Sequence, residues 1–224
     1  MMQVNGIAPG FVDNGRKLWR PHGAASIHFI GPNMTAVTEE PGGVSRRYDA
    51  LAMSLHWLTA ILVLAAFIMG PGGSEHRVYS SARDFDRQVH ELLGLTVFVL
   101  TLLRMAWKVF AVEPATPAMP RWMRVASKAV QGLLYLLLIA TPVTAVLGAW
   151  LEGHPLTFWM LGEVPPMIAE AHETGAVIAE IHTWLGDAII WLAGLHAVAA
   201  VFHQWVLRDG LLQSMLPTRW KLPF

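Results

Sequence analysis

IHTWLGDAIIWLAGLHAVAAVFHQWVLR, residues 181–208, decides how the rest of the chain is read. It is one long apolar run that carries three histidines, His182, His196 and His203. A helix turns about 100° per residue, so a step of fourteen residues returns nearly to the same face and a step of seven comes close. His182, Gly186, Ala193, His196, Ala200 and His203 therefore share one stripe. A row of imidazoles and small residues along a membrane-length helix predicts that something large and flat packs there and takes axial nitrogen ligands.

The remaining composition agrees with a membrane setting. The chain has 224 residues, 54% of them hydrophobic, with ten Trp, no Cys and zero formal net charge. Long charge-free runs of this kind indicate membrane spans rather than a large soluble core. Zero net charge gives no broad electrostatic case for nucleic acid. Without Cys there are no disulfides, no thiolate-held iron–sulfur clusters and no thioether-attached haem, which leaves His as the strongest soft-metal ligand.

Residues 1–46 mix Gly, Pro and polar groups with apolar pieces too short to span a bilayer, so they read as a flexible tail. His22 and His28 fall in it and read as solvated. The first span is expected over 50–70, where no charged residue occurs and His56 is followed by Trp57. Pro71-Gly72-Gly73 ends it, and residues 75–86 form a polar connection. The second span, residues 87–110, places His90, Gly94, Val97, Thr101 and Arg104 on one face. Polar groups on one face of a membrane helix point into a bundle. Pro114, Pro117 and Pro120 mark a loop. The third span, 129–151, carries no charge, is kinked by Pro142 and reads as a packing helix without a ligand. Residues 152–180 form a longer connection with His154 and His172 at the water boundary and an interfacial helical piece. The fold expected is an all-α transmembrane four-helix bundle over 47–217, with a flexible N-terminal tail and a short C-terminal tail at 218–224.

Lys and Arg placement orients it. Arg16, Lys17, Arg20, Arg46 and Arg47 precede the first span, Lys108, Arg121, Arg124 and Lys128 flank the loop between spans two and three, and Arg208, Arg219 and Lys221 end the chain. The opposite side holds Arg77, Arg83 and Arg87 in one loop and no Lys or Arg in the other. Both termini are expected in the cytoplasm.

Orientation allows depths to be compared. His56 lies about 14 Å in from Arg47 and His196 about 18 Å before Arg208, so these two match toward the inner side. His90 and His182 match at the outer starts of their helices. Two His–His pairs about 21 Å apart along the last helix suit two haems, each iron taking one imidazole from either side. The parallel stretches HELLG at 90–94 and HTWLG at 182–186 add weight. A Gly four residues after the ligand removes a side chain where a porphyrin plane would lie. The competing reading makes the histidines hydrogen-bonding packing residues of a haem-free membrane protein.

Arg104 falls on the His90 stripe near the inner end. It can pair with a haem propionate or snorkel to the interface. His203 lies about 10 Å beyond His196 with no matching His, and reads as a quinone or proton site. Asp187 sits about 140° round the helix from His182 and should face another helix or a partner chain. Arg83 and Arg87 are expected to attract a small anion at the outer face.

At this point the residues resemble a family. Arg47-Tyr48 through Ser54-Leu55-His56-Trp57, His90 opening the second helix, Arg104 before the proline loop, Thr141-Pro142-Val143, and His182 with Gly194-Leu195-His196-Ala197 and His203 resemble the bacterial cytochrome b561 family over residues 46–217. The first 45 residues fall outside that likeness. The resemblance implies an inner-membrane bundle with two non-covalent b-type haems, axial pairs His56 with His196 and His90 with His182, and electron exchange with quinone. One branch resembles a superoxide:ubiquinone oxidoreductase, with a donor or acceptor near the periplasmic face. Others resemble cytochrome b subunits that anchor a hydrogenase or dehydrogenase and relay its electrons. The partners expected are membrane lipid, quinone and a redox partner protein.

Overall fold

The computed structural model describes residues 26–30, 35–39, 47–112, 114, 119–217 and 220. His22, Pro117, the basic residues of the tail before Arg47, and Arg219 and Lys221 lie outside the described residues. Residues 1–44 and 45–224 are separate compact units. In the first, where a flexible tail is expected, β1 (Ser26–Ile30) pairs antiparallel with β2 (Thr35–Glu39).

The second unit is a transmembrane four-helix bundle. Its long helices are α1 (Ala50–Met69), α3 (Asp84–Phe110), α4 (Arg121–Leu151) and α5 (His172–Phe202). Each is part of a helical stretch long and apolar enough to cross a membrane. Asp49 caps α1, its carboxylate accepting the Ala52 N–H at 2.9 Å. Gly70 closes α1 just ahead of Pro71, and a short helix α2 (Glu75–Val78) follows in the connection to α3. Asp84 and Asp86 favour the start of α3 electrostatically.

Three of the expected spans start too late. Helix α3 begins at Asp84 rather than residue 87, α4 at Arg121 rather than 129, and α5 at His172 rather than 181. Hydropathy registers only the apolar middle of a helix. The first turns belong to the same helices but mix charged residues with apolar ones, so they fall outside the charge-free runs. What remains of the long connection between α4 and α5 holds a two-stranded ribbon, β3 (Leu156–Thr157) against β4 (Glu163–Val164), with a 3-10 turn at Trp159–Leu161 between its strands. The last helix also ends differently. At His203–Leu207 the ladder widens to a π-turn, Arg208 adopts a left-handed φ of 52°, and α6 (Leu211–Ser214) folds back beneath it.

The bundle is two antiparallel hairpins, α1 with α3 and α4 with α5, each closely packed along its length. Between the hairpins the close apolar contact is concentrated at one level. Val97, Leu137, Leu138 and Ile189 form the buried core, with Leu62, Val63, Leu185 and Leu192 against it. Ile189 lies seven residues from both His182 and His196, Val97 seven after His90, and Val63 seven after His56. The core is thus a plug midway between two levels that carry histidines. The outer surface is apolar as well, with Ile68, Leu103, Leu136, Trp191 and Val198 exposed as a lipid-facing side requires.

Candidate metal centre

The four histidines meet across the gap between the hairpins. The His90 and His182 rings are 5.9 Å apart, centroid to centroid, and the planes cross at 86°. The His56 and His196 rings are 6.3 Å apart at 77°. Two metal–nitrogen bonds of about 2 Å each, with each ring centroid about 1 Å behind its nitrogen, require roughly 6 Å between centroids. Both pairs match the spacing of two imidazoles on one metal ion.

The His90–His182 pair, termed outer after the orientation expected from Lys and Arg placement and the other pair inner, is anchored by backbone. His90 Nδ1 lies 2.7 Å from the Ala66 carbonyl on α1, and His182 Nδ1 lies 2.9 Å from the Thr141 carbonyl on α4. A carbonyl only accepts, so Nδ1 carries the proton in both rings. Each Nε2 then keeps its lone pair for a metal. Gly70 packs beside the His90 ring: a Cβ there would stand 3.4 Å from it, an ordinary contact distance. The inner pair differs. His56 Nδ1 is buried with no partner among the described residues.

Beside the outer pair is a cavity of about 400 Å³, lined by His90, His182, Gly94, Gly186, Pro142 and Leu156 among others. A Cβ added at Gly94 or at Gly186 would meet nothing within 4 Å. The two glycines that follow the histidines by four residues therefore face open space, where a flat macrocycle can lie. An apolar wall, convergent lone-pair nitrogens and missing side chains fit a bis-imidazole haem.

The remaining polar residues divide between the two levels. Arg104 places its guanidinium 5.4 Å from the centre of the Tyr135 ring. His203 is buried, with Nδ1 2.5 Å from Asp209 Oδ2. Gln204 beside it is fully buried, and both its amide atoms lack partners among the described residues. Asp187 is exposed on α5.

Arg87 corrects an expectation. It is buried at 8% exposure and paired with Asp84 at 3.0 Å and Glu91 at 2.8 Å, while the Thr157 hydroxyl accepts from it at 2.6 Å. Arg83 pairs with Asp86 at 3.0 Å. Both cations are neutralised locally, so they do not form an anion-attracting patch. Arg87 instead fastens the ribbon, because Glu91 also accepts the Thr157 N–H at 2.6 Å. That clamp lays Leu156 and Phe158 against the cavity. Helix α4 is likewise more than packing, since its Thr141 carbonyl orients His182. Backbone anchors such as Ala66 and Thr141 leave no mark in residue types. Asp209 did have a signal, an acidic residue just past the His203 turn and next to Gly210.

Comparison with known proteins places the arrangement. Residues 47–218 match the family model described as prokaryotic cytochrome b561. A cytochrome b562 of Cereibacter sphaeroides is 33% identical over 189 residues, covering 82% of this chain and 100% of that protein. Cytochrome b561 homolog 2 of Escherichia coli K12 is 26% identical over 171 residues, 76% of this chain and 91% of the relative. A probable superoxide oxidase of Yersinia pestis is 26% identical over 179 residues, 78% and 98% respectively. An apolar four-helix bundle with facing histidines, matched by the family model over most of its length, belongs to the prokaryotic cytochrome b561 family, integral membrane cytochromes of electron transfer that bind b-type haem.

Proposed function

We propose that the protein is a di-haem electron carrier of the bacterial inner membrane, with both termini cytoplasmic. It passes electrons between a donor or acceptor at the periplasmic face and quinone toward the cytoplasmic face. The observation that carries this is the pair of facing imidazole couples at 5.9 and 6.3 Å, one on each side of an apolar plug. When bound, a b-type haem at each couple supplies reversible one-electron exchange at iron.

The chain's own residues do the rest. His90 and His182 hold the outer group, with their rings fixed by the Ala66 and Thr141 carbonyls. Gly94 and Gly186 leave space for its plane. His56 and His196 hold the inner group, and Arg104 offers a guanidinium to a propionate there. The core plug keeps water from crossing between the levels. His203, held by Asp209 through Nδ1, presents Nε2 as the site where a quinone oxygen exchanges its proton. The name of the Yersinia pestis relative makes superoxide the first outer-face reactant to try.

Pyridine haemochrome assay with a reduced-minus-oxidised spectrum tests the reading on the purified chain. About two b-type haems per chain are expected, and about one in each of His182→Ala and His196→Ala, since one of the two sites would then lack an imidazole to hold the group. Unchanged content in both variants overturns the ligand assignment. A relay-subunit role has one observation in its favour, the exposed carboxylate of Asp187 on a membrane-length helix. A stable co-purifying dehydrogenase or hydrogenase, with no quinone turnover by the isolated chain, selects that role.

A further inference from the structure

A second group of metal-ligating side chains gathers where α2, the turn after α4 and the start of α5 meet. Glu75 comes from α2, Glu152 and His154 from the turn after α4, and His172 from the first residue of α5. One ligand atom from each of Glu75, Glu152 and His154 lies within 4.8 Å of the others. Glu75 bridges the imidazoles, with Oε1 2.8 Å from His154 Nε2 and Oε2 3.3 Å from His172 Nε2.

We propose that Glu75, Glu152 and His154, with His172 as fourth ligand, form a binding site for one divalent transition-metal ion of the zinc class. Two carboxylates and two imidazoles are a borderline nitrogen–oxygen set. Such a set suits zinc better than calcium or magnesium, which take oxygen ligands. The groups come from three segments far apart in sequence, so helical periodicity does not account for their meeting.

The site is held in place. The backbone at Glu152 presses on the start of α5, where a Cβ on Gly175 would come within 2.8 Å of Glu152 Cγ and 2.9 Å of Glu152 N. Only glycine permits that approach. Gly153 turns the chain with φ +82°, and the His154 N–H donates to the Ala149 carbonyl at 2.8 Å. Tyr79 stacks on the His154 ring at 3.4 Å and 19°, and Arg87 lies 5.1 Å from the centre of the Tyr79 ring. Ring orientation at His154 is thereby fixed before any ion arrives, which lowers the ordering cost of binding. Glu75 and Glu152 bring carboxylate oxygens within 4.8 Å of one another, and like charges that close repel. A +2 ion relieves that repulsion.

The test uses the tag-free, haem-loaded full chain in detergent, stripped with EDTA and dialysed against ZnCl₂. Zinc per chain is measured by plasma mass spectrometry, and the ligand set by zinc-edge X-ray absorption. About one zinc per chain is expected, with nitrogen–oxygen coordination and imidazole scattering. Glu75→Gln and His154→Gln should each cut retained zinc at least tenfold while the Soret band per chain stays unchanged. If Glu75→Gln also loses haem, the exposed His172→Gln decides, with weakened zinc binding expected. Zinc retained equally by wild type and all three variants, or no zinc retained by wild type, overturns the site.

Discussion

Replacing the two glycines of the outer cavity separates a haem-binding bundle from one that only packs. Gly94 and Gly186 are both within helices, and a Cβ at either meets nothing within 4 Å. By packing and propensity alone, Gly→Ala in a helix is favourable by about 0.8–1 kcal/mol per site. The double alanine variant should then gain about 2 kcal/mol, roughly thirtyfold in the folding equilibrium. If a porphyrin lies over these positions, the sign reverses for the loaded protein, because the added atoms share the same cavity of about 400 Å³. Leucines at both positions should exclude the outer group altogether and leave the inner one in place. The assay is pyridine haemochrome per chain beside a thermal melt. The expected content falls from about two to about one in Gly94→Leu/Gly186→Leu, with the His56–His196 haem retained. Two haems per chain in that variant would refute the placement of the macrocycle against these faces.

Further expectations concern the polar groups at each end. Glu91→Ala leaves the buried Arg87 without its closest carboxylate, at a cost of about 3 kcal/mol; a thermal midpoint equal to wild type would show that Asp84 alone suffices. His203→Ala should keep both haems but slow reduction of a water-soluble quinone by about 10², the low end of acid–base contributions. Stopped-flow traces at wild-type rate would remove the residue from the quinone site. Asp209→Asn keeps a hydrogen-bonding partner for His203 but loses the charge, so a smaller slowing in the same assay is expected. Chain orientation is checked by thiol labelling of a single Cys placed at residue 224; labelling from the periplasm of intact cells would invert the topology argument.

Much of the architecture was legible because the bilayer enforces simple rules. Charge-free runs had to be helices, since lipid satisfies no backbone group. The shared level of His56 and His196 followed from counting residues inward from Arg47 and Arg208, and that of His90 and His182 from their places near the starts of their expected spans. Helix starts were less legible: Asp84, Arg121 and His172 open helices whose first turns carry charged residues, which break the charge-free runs that mark the spans. Arg87 was misread for a related reason. A cation at a helix start looks exposed in sequence, yet Thr157 and the ribbon that buries it come from a distant segment.

Sequence alone determined that the chain spans a membrane four times, and that its imidazoles fall at two levels on helix faces. Both are local properties, set by hydrophobic run length and the 100° helical step. Tertiary structure decided what those imidazoles face. It brought the Ala66 and Thr141 carbonyls to the outer rings, filled the gap between levels with Val97, Leu137, Leu138 and Ile189, and gathered Glu75, Glu152, His154 and His172 from three segments. Contacts between distant segments depend on helix rotation and loop path, and neither is written in the periodicity of any single helix.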